Sequence, residues 1–343
     1  MPNLNSLTNQ LFDRREAMRP TVWTWTKHIA LLLAAFFTVT IAGVIQPFGK
    51  IEIFPNVPDP QSSVEVFNLL ASLPALYFQL VSGTIQKLFT DYETLKYGLE
   101  FSASLLGILT AHEAGHYATC RLYGVDATLP YFIPMPPMLS PAGTLGAFIK
   151  IVSPLPSRRA TFDIGVAGPI AGFIVLIPIL IYGLLTMQQV SPTQAFAADG
   201  GLFFSDPLLT QILAKIVGVD TNLGYFNPFL AAAWIGMLVT SLNLVPSGQL
   251  DGGHAVYAIF GERIHFWTGR IAFAAMSVIS ILGWFLYSSP SGFLFAILLA
   301  VMMRIRHPEP LDYTPLDFKR KIIAVLTLVI FILCFVPFPI QIR

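Results

Sequence analysis

The chain has 343 residues, 55% hydrophobic and only 11% charged, whereas an ordinary soluble domain carries about 25% charged residues. With a mean hydropathy of +0.67, that balance predicts a polytopic membrane protein, and a formal net charge of +1 argues against a nucleic-acid partner. The two cysteines, Cys120 and Cys334, are too few and too distant for a disulfide framework or zinc knuckle and read as buried thiols.

Residues 1–27 carry Arg14, Arg15, Arg19 and Lys27 against Asp13 and Glu16, so the positive-inside rule makes them a cytoplasmic tail. Trp23 and Trp25 suit the membrane interface. The apolar run that follows shows no small-residue cleavage site and reads as a first spanning helix, residues 29–45, not a cleaved signal. A Pro-rich acidic stretch, 46–65, then lies outside. Residues 66–86 lack charges but hold Leu73-Pro74 near their middle. Were they to span, the next helix would deliver Arg121, Lys150, Arg158 and Arg159 to the outer side, so they are expected to be re-entrant or to lie on the outer surface.

The next helix, 97–120, carries His112-Glu113-Ala114-Gly115-His116. Residues four apart lie one above the other on a helix, so His112 and His116 can face one metal ion. Glu113, one position round, can reach a water activated by that metal without being a ligand, as metal-dependent peptide hydrolysis requires. Residues 129–152 hold too many prolines and glycines for one helix. Their second half alternates like a strand, and a short hairpin dipping into the membrane is expected there. Non-helical backbone at that depth needs a wet, protein-lined cavity, and its strand edge could receive an extended peptide.

Residues 161–187 form a further span with Gly168 and Gly172 on a small face suited to close packing. The loop 188–227 is expected outside, with a short helix of its own. Spans follow at 228–245, 268–287, 292–303 and 322–336, and Arg304, Arg306, Lys319, Arg320 and Lys321 mark the stretch before the last one as cytoplasmic. The fold class is thus an all-α polytopic membrane protein of about six to eight transmembrane helices with one membrane-dipping β-hairpin. Its parts are the tail (1–27), a first span with an outer or re-entrant segment (28–96), a catalytic core (97–260) and C-terminal spans (261–343).

A third ligand is offered by Asp251, in Leu250-Asp251-Gly252-Gly253-His254, just past a span that ends near Asn243. Ionisable residues beside a span are functional candidates, and the topology brings Asp251 and the His pair to the same, cytoplasmic side. Two nitrogens and one oxygen leave a fourth position open, the donor set of a catalytic zinc.

Together, the His-Glu-x-x-His sequence, the Asp251 turn with Asn243 and Pro246 before it, and the span between them resemble the site-2 protease family of intramembrane zinc metalloproteases. Residues 129–137, 143–150 and 248–254 look like its cyanobacterial and plastid branch, known for yellow-green, gravitropism-deficient mutants. The resemblance implies one Zn2+ held by His112, His116 and Asp251, Glu113 as general base, and Asn243 positioning substrate or stabilising an oxyanion. It also implies cleavage of a membrane-protein substrate within its transmembrane helix, in a prokaryotic cell membrane or, for a eukaryotic source, a plastid membrane. The stretches between spans leave no room for the PDZ-type or nucleotide-binding modules of other members. The competing reading is a non-catalytic membrane metal-binding protein, either a transporter or an inactive protease-like chaperone. Of the other histidines, His254 is a minor ligand candidate, whereas His28, His265 and His307 sit near membrane boundaries and are expected to be solvated. Asp163 is expected either to bond a ligand histidine or to serve a helix start.

Overall fold

The first apolar run folds as α1, Val22–Val44, whose N-terminus is closed by the Thr21 side chain accepting from the Thr24 N–H. Its 23 residues rise about 35 Å, enough to cross a bilayer. The structure is a computed structural model and describes residues 20–53, 61–137, 139–189, 202–305 and 307–342. Arg14, Arg15, Arg19, Arg306 and part of the outer loop, which carry expectations above, lie outside these residues.

The segment expected to be re-entrant or to lie on the outer surface is one continuous helix, α2, Ser63–Thr90, 28 residues long with Pro74 inside it. Ser62 accepts from the Glu65 N–H at 3.3 Å while Glu65 accepts from the Gln61 N–H at 2.7 Å, a reciprocal cap that starts the helix firmly. Only Thr84 and Leu88 are buried in it. Leu80, Ile85 and Leu88 dock on Ile41 and Val44 of α1 and on Ile45 just past its end, so the buried contacts of α2 lie in its later turns. Asp91 then ends α2 and caps α3, Tyr92–Leu122.

Helix α3, 31 residues long, runs antiparallel to α1, with Gly98 against Thr40 and Val44. Its fully buried Phe101 and Leu105 pack with Ala35 and Val39 of α1 and with Trp234. The expected hairpin is present: β1, Tyr131–Pro134, pairs antiparallel with β2, Thr144–Phe148, in the register Tyr131 to Phe148 and Phe132 to Ala147. It is fastened to α1, where Thr38 Oγ1 donates to the Gly143 carbonyl at 2.7 Å.

After the hairpin come α4, Arg158–Leu185, then β3, Leu202–Phe204, α5, Leu208–Val217, and α6, Pro228–Asn243. The short helix expected in the outer loop is α5. The remaining elements are α7, Asp251–Phe260, α8, Glu262–Tyr287, α9, Ser291–Met302, α10, Phe318–Cys334, and β4, Ile340–Ile342. Strand β4 pairs antiparallel with β3, a second two-stranded sheet absent from the expected all-α plan. Ile108, Leu176, Leu180 and Met237 form the core between α3, α4 and α6. Both cysteines are buried and free, as expected.

Among the described residues four helices, α1, α2, α4 and α8, are long and apolar enough to cross a membrane. Helix α3, though longer, carries the polar residues of the site.

Candidate metal centre

Four residues of spacing place His112 and His116 on one face of α3, and the structure brings their Nε2 atoms 3.0 Å apart. Helix α4 forms the wall behind them. His116 Nδ1 lies 2.7 Å from the Ile164 carbonyl, an oxygen that can only accept, so Nδ1 carries the proton and Nε2 keeps a free lone pair. The ring lies so close to α4 that a Cβ at Gly168 would fall 2.5 Å from two of its carbons. Gly172 gives the same room to His112, with 3.2 Å to its Cβ. The small face read from the sequence therefore seats the two imidazoles.

Asp251 opens α7. The chain reverses tightly before it, with the Val245 N–H bonded to the Leu242 carbonyl and the Leu250 N–H to that of Ser247. A side chain at Gly252 would collide with the Leu244 carbonyl, and one at Gly253 would sit 2.5 Å from the Gly248 carbonyl. Two glycines are what let the helix start press onto the turn and carry the carboxylate inward. Asp251 Oδ2 reaches to 3.2 Å from His112 Nε2, and Oδ1 to 3.3 Å from His116 Nε2.

These separations match a metal site. Ligands 2.0–2.1 Å from a tetrahedral zinc are spaced about 3.3–3.4 Å from one another. Three ligand atoms of His112, His116 and Asp251 lie within 4.8 Å of one another, both imidazoles are buried, and the buried Asp251 Oδ2 has no hydrogen-bond donor at bonding geometry. A buried acceptor facing an imidazole lone pair needs a cation between them. The donor set fits zinc.

Glu113 is 5% exposed and lies beside the Ile149 backbone. Both line a cavity of about 750 Å³ that also takes in His112, His116, Asn243 and Asp251. One wall is the strand continuing from β2. Its Lys150 carbonyl accepts from Thr128 and its Val152 N–H donates to Asp126, so antiparallel alternation turns the backbone of Ile149 and Ile151 toward the cavity. Asn243, the last residue of α6, holds its Nδ2 3.4 Å from His112 Nε2. The lining also includes Pro308 and Glu309, from a strap linking α9 and α10. The Leu311 N–H donates to the Leu155 carbonyl at 3.0 Å, and the Arg158 N–H to that of Asp312 at 2.9 Å, pinning the strap in place.

Several expectations need correction. His28 and His265 are buried, and each bonds a backbone carbonyl, Pro130 at 2.8 Å and Gly248 at 3.0 Å respectively. His307 is half-buried, stacked 4.0 Å from the Tyr257 ring. None is simply solvated, because loops fold back over the helix ends where they sit. His254 is no ligand: its Nδ1 is 2.6 Å from His307 Nε2. Asp163 bonds neither ligand histidine. It pairs with Arg320 and accepts from the Tyr123 hydroxyl, while its neighbour Ile164 orients His116 through the backbone. Neither that carbonyl nor the Ile149 backbone has a residue-type signature by which a sequence could announce it. The strap did leave a signal, the Pro308, Pro310 and Pro315 run, which favours an extended segment.

The sequence model of peptidase family M50 matches residues 100–286. The chain is 29% identical over 225 residues to the probable zinc metalloprotease EGY2, chloroplastic, of Oryza sativa subsp. indica, covering 64% of this chain and 38% of that protein. It is 27% identical over 283 residues to the Arabidopsis thaliana protein of the same name, covering 80% and 48%. To the probable zinc metalloprotease EGY1, chloroplastic, of Arabidopsis thaliana it is 27% identical over 256 residues, covering 72% and 44%. The chain thus spans less than half the length of each of these curated relatives. The family match takes in more than half of the chain, including His112, Glu113, His116, Asn243 and Asp251, and the EGY relatives agree with the plastid-type branch of site-2 proteases: the chain belongs to peptidase family M50.

Proposed function

We propose that this protein is an intramembrane zinc metalloendopeptidase that cuts substrate proteins within a transmembrane segment. The observation that carries the reading is the meeting of His112, His116 and Asp251 beside Glu113 in a cleft among apolar helices. A bound zinc ion supplies Lewis acidity and makes water a competent nucleophile at neutral pH. Glu113 takes the proton from the attacking water and passes it to the leaving amine. Asn243 offers its amide N–H to the developing oxyanion. The inward-turned backbone of Ile149 and Ile151 binds an unwound stretch of substrate as an added strand, which presents a peptide bond that a helix would keep enclosed.

Antiparallel α1 and α3 leave α2 on the outer side, and α1, α3, α4, α6, α8, α9 and α10 as the spans bring the number within the expected six to eight. The metal centre then lies toward the cytoplasmic ends of α1 and α3, in a plastid or prokaryotic cell membrane. A transporter or silent relative gains no support, since the general base stands at the ligand cluster. Purified in detergent, the protein should hold about one zinc per chain and cut a membrane-spanning substrate. Glu113→Gln should keep the metal and lose cleavage; a Glu113→Gln protein that cuts as well as the parent refutes the assignment.

A further inference from the structure

We propose that Arg320 is a positioning residue of the metal centre, acting through Asp163 on the Ile164 carbonyl that orients His116. The proposal rests on the metalloprotease reading of the site. Arg320 lies on α10, beyond the residues matched by the family. Its guanidinium grips Asp163 in a two-pronged pair, Nε to Oδ1 at 2.9 Å and Nη2 to Oδ2 at 2.6 Å. Nη2 also donates to the Tyr123 hydroxyl at 3.0 Å, Nη1 pairs with Asp317, and Tyr123 donates to Asp163.

The pattern of partners is informative. Tyr123 is the C-cap of α3, two helical turns past His116. Asp163 is in the second turn of α4 and immediately precedes Ile164. Arg320 therefore ties together the two helix ends between which the His116 to Ile164 bond is stretched. Both side chains of the pair are 22% exposed, so the fork is largely shielded from solvent and ions. A planar fork fixes direction as well as distance, which an ammonium cannot do. With His116 in contact with α4 at Gly168, any rotation of that stretch of the helix moves the ring and its Nε2. A bland alternative exists, in which Arg320 merely anchors α10 to the body.

The test uses the full chain in detergent and reads the metal independently of cleavage. Zinc affinity is measured by chelator competition, and the d–d spectrum is recorded after cobalt(II) replacement. Arg320→Gln should weaken zinc about 10–100-fold, the range for losing an outer partner of a metal-ligating histidine, and should change the cobalt spectrum. Arg320→Lys should recover only part of the loss. Asp163→Asn should match Arg320→Gln, and the double variant should add nothing further, as expected for residues acting in one chain of contacts. If Arg320→Gln fails to fold, Tyr123→Phe removes one strut and should shift both readouts in the same direction by a smaller amount. A variant that melts earlier but keeps the parent's zinc affinity and cobalt spectrum overturns the proposal, leaving Arg320 as an anchor. A parent that binds neither ion overturns the metalloprotease reading, and this inference with it.

Discussion

Replacing Gly168 by Ala probes the seat of the metal most directly. The added methyl would press hardest on His116 Nε2, the ligand atom itself, and would lie 2.5 Å from Cδ2 and Cε1; ordinary contact begins at 3.4 Å, so the ring must withdraw by more than about 0.9 Å or α4 must shift by as much. Metal sites tolerate about 0.2 Å in ligand distance. The displaced His116 also loses its bond to Ile164, because both are set by the same stretch of α4. Loss of an outer partner alone weakens binding about 10–100-fold, and displacement of the ligand itself should bring zinc affinity down at least 100-fold. The fold should suffer only the overpacking cost of about 1–3 kcal/mol. Chelator competition and zinc content of the purified protein measure the first effect, and thermal unfolding of the metal-free form the second. Gly107→Ala, on α3 with nothing within 4 Å of the added carbon, is the control and should bind as the parent does. A Gly168→Ala protein with the parent's zinc affinity would show that His116 is not held against α4 as a ligand.

Asn243→Ala should lower kcat about 100-fold or more, the usual result of removing an oxyanion donor, with KM and zinc content nearly unchanged; an unchanged kcat assigns Asn243 to helix capping instead. At the α2–α3 junction, the Thr94 hydroxyl and the Glu93 and Thr94 N–H groups donate to Asp91 and hold its carboxyl below the ordinary value of 3.8. A depressed folded-state pKa contributes stability above the unfolded value and loses it as pH falls. Protection of the first-turn amides of α3 against hydrogen exchange should therefore decline as pH drops from about 5 to about 3, and Asp91→Asn should flatten that profile. A flat profile in the parent would deny the carboxylate this role.

The meeting of His112, Glu113, His116 and Asp251 was legible because it depends on residue identity: an i, i+4 histidine pair, and a carboxylate set beside two glycines. The hairpin was legible because prolines and glycines exclude helix. The continuity of α2 through Pro74 was not legible, since a proline does not break a helix already held at both ends, here by Ser62 with Glu65 and by Asp91. The β3–β4 sheet could not be foreseen, as it pairs residues near 203 with residues near 341, both inside apolar stretches that periodicity cannot tell from helix. The histidines were misplaced for a related reason. Whether His28 or His265 meets water depends on which loop folds over it, and its partner is a main-chain oxygen common to every residue type.

The strap from His307 to Leu316 gives the cleft a handedness. Its backbone is bonded to Leu155 and Arg158, so Pro308 and Glu309 are held in place where they line the cleft. If substrate enters as the added strand proposed above, a polypeptide laid along Ile149 and Ile151 would meet Pro308 and Glu309 of the same lining. On the proposed reading, the distance from strap to metal would act as a ruler, counting residues of the substrate from the strap to the cut bond.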